Sequence, residues 1–318
     1  MNLLDVFTKQ GGIKLIERYL HNGVLLTAVS ELAILGKDKK ALEILRLAVE
    51  YKTKKKIEKK YKNRLNEVEK SYDPNIKREQ SKKVWICWFQ GIENAPAIVR
   101  KCVDSVIHNL CDREVIIITE KNYKNYVEFP QYIVEKWRAG NITDTHMTDL
   151  MRLELLLKYG GTWIDATVLC TSPSEQIPAY FFDSDLFMYQ ALKPGRDGDS
   201  MFISSWYMSA CSNNKILWIT RELLYSYWLK NNCLADYFLL HIFMCMVLEH
   251  QEEEWKKIVP RDNATPHILL LNLFETYDEQ MYKSTIQQTP FHKLSYKFTD
   301  EQKTKMGTFY SYIMSHDS

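Results

Sequence analysis

The 318-residue chain is predicted to be an α/β protein, with a mainly parallel sheet flanked by helices and a helical segment ahead of it. Two compact apolar runs, Val84 to Phe89 and Glu114-Val-Ile-Ile-Ile-Thr119, read as buried strands. Between them Ile98, Cys102, Val103, Val106, Ile107 and Leu110 form one stripe of a helix over Pro96 to Leu110, as in a strand–helix–strand unit with a right-handed crossover. The third feature organises the chain: Thr148-Asp-Leu-Met-Arg-Leu-Glu-Leu-Leu-Leu-Lys-Tyr-Gly-Gly-Thr-Trp-Ile-Asp-Ala-Thr-Val-Leu-Cys170. Leu150, Leu153 and Leu157 recur at helical spacing, Thr148 is placed as the N-cap, and Gly160-Gly161 supply a left-handed stop. Period two then takes over, with Ile164, Ala166 and Val168 on one strand face and Trp163, Asp165 and Thr167 on the other. The expected organisation is a helical, basic segment over 1–80 and an α/β domain over 81–318.

In chain order, residues 1–50 carry two or three short amphipathic helices broken at Asn22-Gly23 and at Gly36. The run Tyr51 to Arg64 follows, with eight basic residues and one acidic. Residues 1–80 hold 18 Lys/Arg and 11 Asp/Glu, while the whole chain carries a net charge of only +2, so charge is segregated. The basic run reads as a solvated helix face or as a patch for anionic lipid head groups. Around Asp73-Pro74 the chain is a linker. After the second strand, Pro130 to Arg138 is another helix and Asn141 to His146 a polar connector, with His146 a loop residue. Beyond Cys170, Asp185 to Tyr189 and Phe202 to Ser209 are strands, and Asn213 to Lys230 is an amphipathic helix. Lys193-Pro-Gly-Arg-Asp-Gly-Asp199 between them is expected to be a mobile loop. The apolar run after Asp236, too short to span a bilayer, is a buried helix in which His241 is a satisfied core residue.

An ionised Asp on an otherwise apolar strand is costly to bury unless something pairs with it, and a divalent cation is one such partner. Here the pattern S/T-D-x-x-R-x-x-x-L-x-x-Y-G-G-x-Y/W-x-D-x-D/T resembles the glycosyltransferases of the capsular-polysaccharide synthesis type. They are related to the GT-A sugar transferases that include yeast mannosyltransferases and glucosylating clostridial toxins. The resemblance covers residues 83–297 and implies a GT-A fold with a Rossmann-like sheet. It implies Asp149 and Arg152 as donor contacts, Trp163 as a wall of the sugar or base site, and Asp165 as a ligand of Mn²⁺ or Mg²⁺ on the donor diphosphate. Thr167 stands where toxin-like members carry a second Asp, a neutral and weaker ligand.

Three further stretches resemble the same family. Lys83 to Gly91 is similar to its first strand, which implies that Trp88, Phe89, Gln90 and Gly91 surround the nucleoside. Asp236-Tyr-Phe resembles the opening of its central helix, which implies that Asp236 positions or deprotonates the acceptor hydroxyl; a simple helix-terminus charge is the alternative. Thr289-Pro-Phe-His-Lys-Leu-Ser-Tyr-Lys297 resembles its closing segment. That implies His292 as a metal ligand compensating for Thr167, and Lys293 and Lys297 against the departing UDP, with a surface loop as the alternative. The family implies a nucleotide-sugar donor, a UDP-sugar favoured, and a saccharide or lipid-linked oligosaccharide acceptor. It also implies retention at the anomeric carbon, with Asp165 a ligand rather than a nucleophile.

Composition bounds the alternatives. Hydrophobic content of 46% supports a sizeable core, and the near-balanced charge argues against nucleic acid as a partner. The seven cysteines lack C-x-x-C or zinc spacing and read as reduced core residues. Without a basic stretch followed by a long apolar one, the N-terminus reads as cytoplasmic, with a peripheral position on the inner membrane face compatible with residues 51–64. Two other classes stay open: a sugar-nucleotide-binding scaffold that has lost catalysis, and a lipid-surface adaptor.

Overall fold

The computed structural model describes residues 12–192 and 200–316; the expected mobile loop at 193–199 lies outside the described residues. Three helices come first: α1 (Ile13–His21), α2 (Leu25–Leu35) and α3 (Lys39–Ser71). They break at Asn22-Gly23 and Gly36, as expected. The third is not short. Asp38 caps α3 by accepting the N–H groups of Lys40 and Ala41, and the helix continues through the basic run for 33 residues. Ile57, Tyr61, Leu65 and Val68 are buried at intervals of three and four, so one face of the basic run belongs to the core. Lys54 itself is buried, its ammonium 2.6 Å from Glu249.

The α/β part follows as β1 (Lys83–Cys87), α4 (Ala97–Asn109), β2 (Glu114–Ile118), α5 (Gln131–Arg138), α6 (Asp144–Tyr159), β3 (Gly161–Ile164) and β4 (Val168–Cys170). Then come β5 (Leu186–Gln190), β6 (Ile203–Ala210), α7 (Lys215–Lys230), α8 (Leu239–His250), α9 (Glu279–Ile286), β7 (Phe291–Lys293) and α10 (Phe309–Ser315). The main sheet has the order β2-β1-β3-β6-β5, with β1 parallel to β2 and β3, and β6 antiparallel to both β3 and β5 and so the one strand that runs opposite to the rest. The mixed, mainly parallel sheet expected from the sequence is present. A second, two-stranded antiparallel sheet pairs β4 with β7, placing Val168 opposite Lys293 and Leu169 opposite His292.

Alternation along the strands divides the core into two layers. Trp85, Trp163 and Met208 face α3, α6, α7 and α8, while Val84, Ile86, Ile164 and Tyr207 face α4, β4 and β7. The division at residue 80 falls in the extended stretch between α3 and β1, yet α3 shares the first layer with α6–α8. No helix among the described residues is long and apolar enough to cross a membrane.

Two expectations around α6 are corrected. The helix starts at Asp144, and its N-cap is Thr143, whose hydroxyl accepts the His146 N–H; Thr148 lies a turn inside. Only the end of the connector, Asp144 to His146, belongs to the first turn, and His146 is a buried helical residue rather than a loop residue. The strand does not run on to Cys170 either. It stops at Ile164, and Asp165, Ala166 and Thr167 make a turn closed by the Val168 N–H on the Asp165 carbonyl. Ile164, Ala166 and Val168 still share one core layer, which is why period two suggested an unbroken strand.

Both motif glycines have positive φ, +66° at Gly160 and +96° at Gly161. A Cβ on Gly161 would lie 2.3 Å from the Lys83 carbonyl oxygen of β1. Backbone contact thus replaces side-chain contact where α6 turns into β3. Gly161→Ala is expected to destabilise the fold by about 3 kcal/mol, measured by urea unfolding; a loss below 0.5 kcal/mol, roughly the scatter at neutral surface sites, would show that the junction relaxes.

Candidate active site

At the carboxyl end of β3, where ligands bind in parallel sheets, the turn presents Asp165 between two adjoining cavities. The smaller, about 360 Å³, is lined by Trp88, Phe89 and Gln90 after β1, by Trp163 and Thr167, and by Tyr296 and Lys297 from the C-terminal segment. The larger, about 530 Å³, is lined by Asp149, Arg152 and His241, by Ser204 and Trp206 of β6, and by Asn263 and His267. Thr145, Thr148, Asp165, Tyr237 and Lys293 line both. Each volume suits part of a small ligand.

Asp165 is held from two sides. Its Oδ1 accepts from Trp163 Nε1 at 2.9 Å and from Arg152 Nη2 at 3.2 Å, and its Oδ2 lies 3.4 Å from Lys293 Nζ. Lys293 also donates to Thr167 Oγ1. Arg152 reaches Asp165 because α6 and β3 run back to back through the glycine turn. It stacks over the Trp163 ring at 4.8 Å and donates to Asp149 Oδ1 at 2.7 Å. Asp149 and Arg152 are both buried, so each needs the other.

The chain of polar contacts continues inward. Trp228 Nε1 on α7 donates to His146 Nε2 at 2.9 Å, which leaves Nδ1 as the protonated ring nitrogen, facing Asp149 Oδ2 at 3.3 Å. Burial works against ionisation of Asp149, but His146 and Arg152 outweigh it and hold its carboxyl below the usual range. His241, by contrast, is not a satisfied core histidine. Its ring lines the larger cavity, Nδ1 has no partner, and burial lowers its pKa to about 4.

The residues expected from the sequence are brought together unevenly. Trp88, Gln90, Asp149, Arg152, Trp163, Asp165, Thr167, Lys293 and Lys297 all line one or both cavities. Trp88 meets Tyr296 edge to face at 5.3 Å, and its buried Nε1 is unpartnered. Asp236 lines neither cavity. Its carboxylate accepts the Phe238 N–H at 2.9 Å beside the start of α8, and burial raises its pKa; Tyr237 and Phe238 reach the larger cavity instead. His292 is absent from both linings too. On β7 it alternates with Phe291 and Lys293, so its side chain leaves the strand on the face opposite Lys293.

These placements bear on the expected divalent cation. Asp165 and Thr167 are close, but the Lys293 ammonium is bonded to both, and His292 points away. No group of three or more His, Cys, Asp or Glu suited to a metal occurs among the described residues. Asp165 already faces two cations and Thr167 Oγ1 accepts from an ammonium, so a dication here would compete with Lys293 for both oxygens and draw its remaining ligands from outside these side chains.

Residues 37–313 match the family model described as capsular polysaccharide synthesis protein. The chain belongs to that family. Among similar proteins, the O-glycosyltransferase PaGT of Phomopsis amygdali is 25% identical over 158 residues, 45% of this chain and 38% of its own length. The O-glycosyltransferase braB of Annulohypoxylon truncatum is 31% identical over 94 residues, 27% of this chain and 22% of its own. The chain thus spans less than half the length of these curated relatives. A solved structure titled PaToxG glycosyltransferase aligns with 84% of this chain and 96% of its own at 16% identity, with a TM-score of 0.34.

Several lining residues of this family member carried no sequence signal. Trp206 stacks on Tyr189 at 4.5 Å and donates to Asn263 Oδ1 at 2.7 Å, and Asn263 itself is held by a backbone bond to Gln190 at the end of β5. Only the fold brings β6 and this loop together. Tyr237 and Tyr296, in contrast, lie within stretches that the family resemblance marks.

His292 offers a pH test. Its ring is fully buried with neither nitrogen in a hydrogen bond of good geometry, and burial lowers its pKa from 6.5 to about 4, the nearby Thr289 and Ile286 backbone offsetting only part of that. Between those pH values the unfolded chain takes up a proton that the folded chain refuses, so stability falls as pH drops from 6.5 to 4, by on the order of 3 kcal/mol for this group. His292→Leu is expected to remain folded at pH 7 and to lose much of that acid sensitivity in denaturant melts across the window. An unchanged pH slope would assign the sensitivity elsewhere.

Proposed function

We propose that the chain is a glycosyltransferase that moves a sugar from a nucleotide-sugar, a UDP-sugar favoured, to a saccharide acceptor in surface-polysaccharide synthesis. The observation carrying this reading is the Arg152–Asp165–Lys293 cluster at the junction of two cavities on the carboxyl edge of the sheet. The smaller cavity has aromatic walls for a base at Trp88 and Tyr296, and cations for a diphosphate at Lys293 and Lys297. The larger has aromatic, hydroxyl and carboxamide groups of the kind that sugars bind, at Trp206, Tyr237, Ser204 and Asn263. Family membership and the names of PaGT and braB support the same chemistry.

In the reaction, the bond between the anomeric carbon and the diphosphate oxygen breaks, and its electron pair leaves with the nucleotide. Lys293 and Lys297 favour that step by meeting charge that grows on the departing oxygens. The acceptor oxygen forms the new bond from the same face, giving retention, and its proton passes to the departing phosphate. Asp165, with Trp163, Arg152 and Lys293 at its oxygens, anchors the cations and does not attack.

A thermal-shift panel of UDP, GDP, CDP, ADP and their sugars tests this reading. One nucleotide is expected to raise the melting temperature by mass action. Trp88→Ala should weaken that ligand roughly tenfold through lost stacking, and Asp165→Ala should abolish transfer while leaving the fold intact. Absence of a shift with every nucleotide would reject the transferase.

The acceptor end of the reading extends to a lipid-linked saccharide. Leu26, Val29, Ile34, Ile44 and Leu47 are at least half-exposed or nearly so on α2 and α3, and Lys52, Lys55, Lys59, Lys60 and Lys62 are exposed further along α3. Leu47 and Glu50 of the same helix line the larger cavity. Apolar side chains beside lysines suit an anionic bilayer surface. Vesicles of phosphatidylglycerol and phosphatidylcholine should bind the protein in flotation, and Leu26→Glu with Ile34→Glu should release it. Equal recovery with neutral vesicles, or none with either, would remove the lipid surface from the reading.

A further inference from the structure

Resting on the transferase reading, the geometry points to a donor site that works without a divalent cation, the Lys293 ammonium standing where the metal would bridge Asp165 to the diphosphate. Three observations converge. Lys293 Nζ lies 3.4 Å from Asp165 Oδ2 and donates to Thr167 Oγ1, so it occupies the position between the two side chains that a bridging cation would need. Thr167, where a second carboxylate is the alternative, is neutral, so one positive charge rather than two balances this pair. The remaining candidate ligand, His292, leaves β7 on the face opposite Lys293.

The arrangement is built into the chain pairing. β4 and β7 are antiparallel, and Val168, next to Thr167, is directly opposite Lys293. The Leu294 N–H donates to the Thr167 carbonyl at 2.9 Å, extending the pairing by one bond past the strand ends. The lysine is therefore fixed across from the turn by backbone bonds and does not depend on a mobile arm. Its side chain is about one-fifth exposed and lines both cavities, so it can meet a ligand entering either. Arg152 closes the other side of Asp165, and its buried Nε is unpartnered. A dication placed beside Asp165 would face both these cations at close range, and like charges at such distances repel. Lys297, exposed at the rim of the smaller cavity, adds a further positive group on the diphosphate side.

The test is titration calorimetry of the nucleoside diphosphate chosen by the melting panel, in EDTA and in Mn²⁺ or Mg²⁺, alongside the electron paramagnetic resonance signal of free Mn²⁺. The wild type is expected to bind with the same affinity, within threefold, in EDTA and in metal, and to leave the Mn²⁺ signal at full amplitude. Lys293→Met should weaken binding at least tenfold in EDTA. The double variant Thr167→Asp with Lys293→Ala, which sets two carboxylates two residues apart with no ammonium between them, should bind the nucleotide only when Mn²⁺ is added. Wild-type binding that appears only with metal, with Mn²⁺ signal lost on adding nucleotide, would overturn the inference and leave the transferase reading standing. No nucleotide binding in either buffer would reject the transferase reading and this inference with it.

Discussion

The Asp149–Arg152 pair is the interaction on which the rest of the site depends. A guanidinium this deeply buried is tolerable only with a carboxylate at hydrogen-bond distance, and Asp149 supplies it one helical turn away. Asp149 in turn is steadied by His146, whose other nitrogen is fixed by Trp228 from α7. What reaches the cavity is the outer end of that chain, with Arg152 presented to Asp165 from a helix that cannot rotate without breaking contacts on every side. Rigidity at the rim is thus borrowed from the core, the arrangement that preorganised charge requires.

Sequence made the central part of this legible because its signals are local. Gly160-Gly161 between a leucine-patterned helix and a tryptophan-bearing strand fixes a turn whose geometry few other residues permit, and it puts Asp149, Arg152, Trp163 and Asp165 within reach of one another. The alternating pattern through Val168 concealed the break at Asp165, since the turn keeps the same side chains on the same core layer. Thr148 was a plausible cap by composition, but Thr143 has the hydroxyl at the right distance from a free N–H, and composition alone does not distinguish them.

What stayed hidden depends on distant parts of the chain meeting. That His292 turns away while Lys293 turns in follows from the register of β4 against β7, which nothing near residue 292 announces. Asp236 carried the right residue type in the right neighbourhood, yet its carboxylate closes on its own backbone two residues ahead and leaves the cavity to Tyr237 and Phe238. Trp206, Asn263 and His267 meet only because the loop after α8 is bonded to the end of β5. In each case an acidic or aromatic side chain was visible, while its direction was set by tertiary pairing.

The long third helix has a consequence for synthesis. Ile57, Tyr61, Leu65 and Val68 emerge early, but the helices they pack against, α7 and α8, begin only at Lys215 and Leu239. At about 5–20 residues per second, the ribosome leaves this apolar face uncovered for on the order of ten seconds or more. During that interval the exposed lysines of the same helix, Lys52, Lys55, Lys59 and Lys62 among them, are the charged groups nearest that uncovered face. The apolar face and the basic run of this helix are therefore made together, well before the two helices that cover the former.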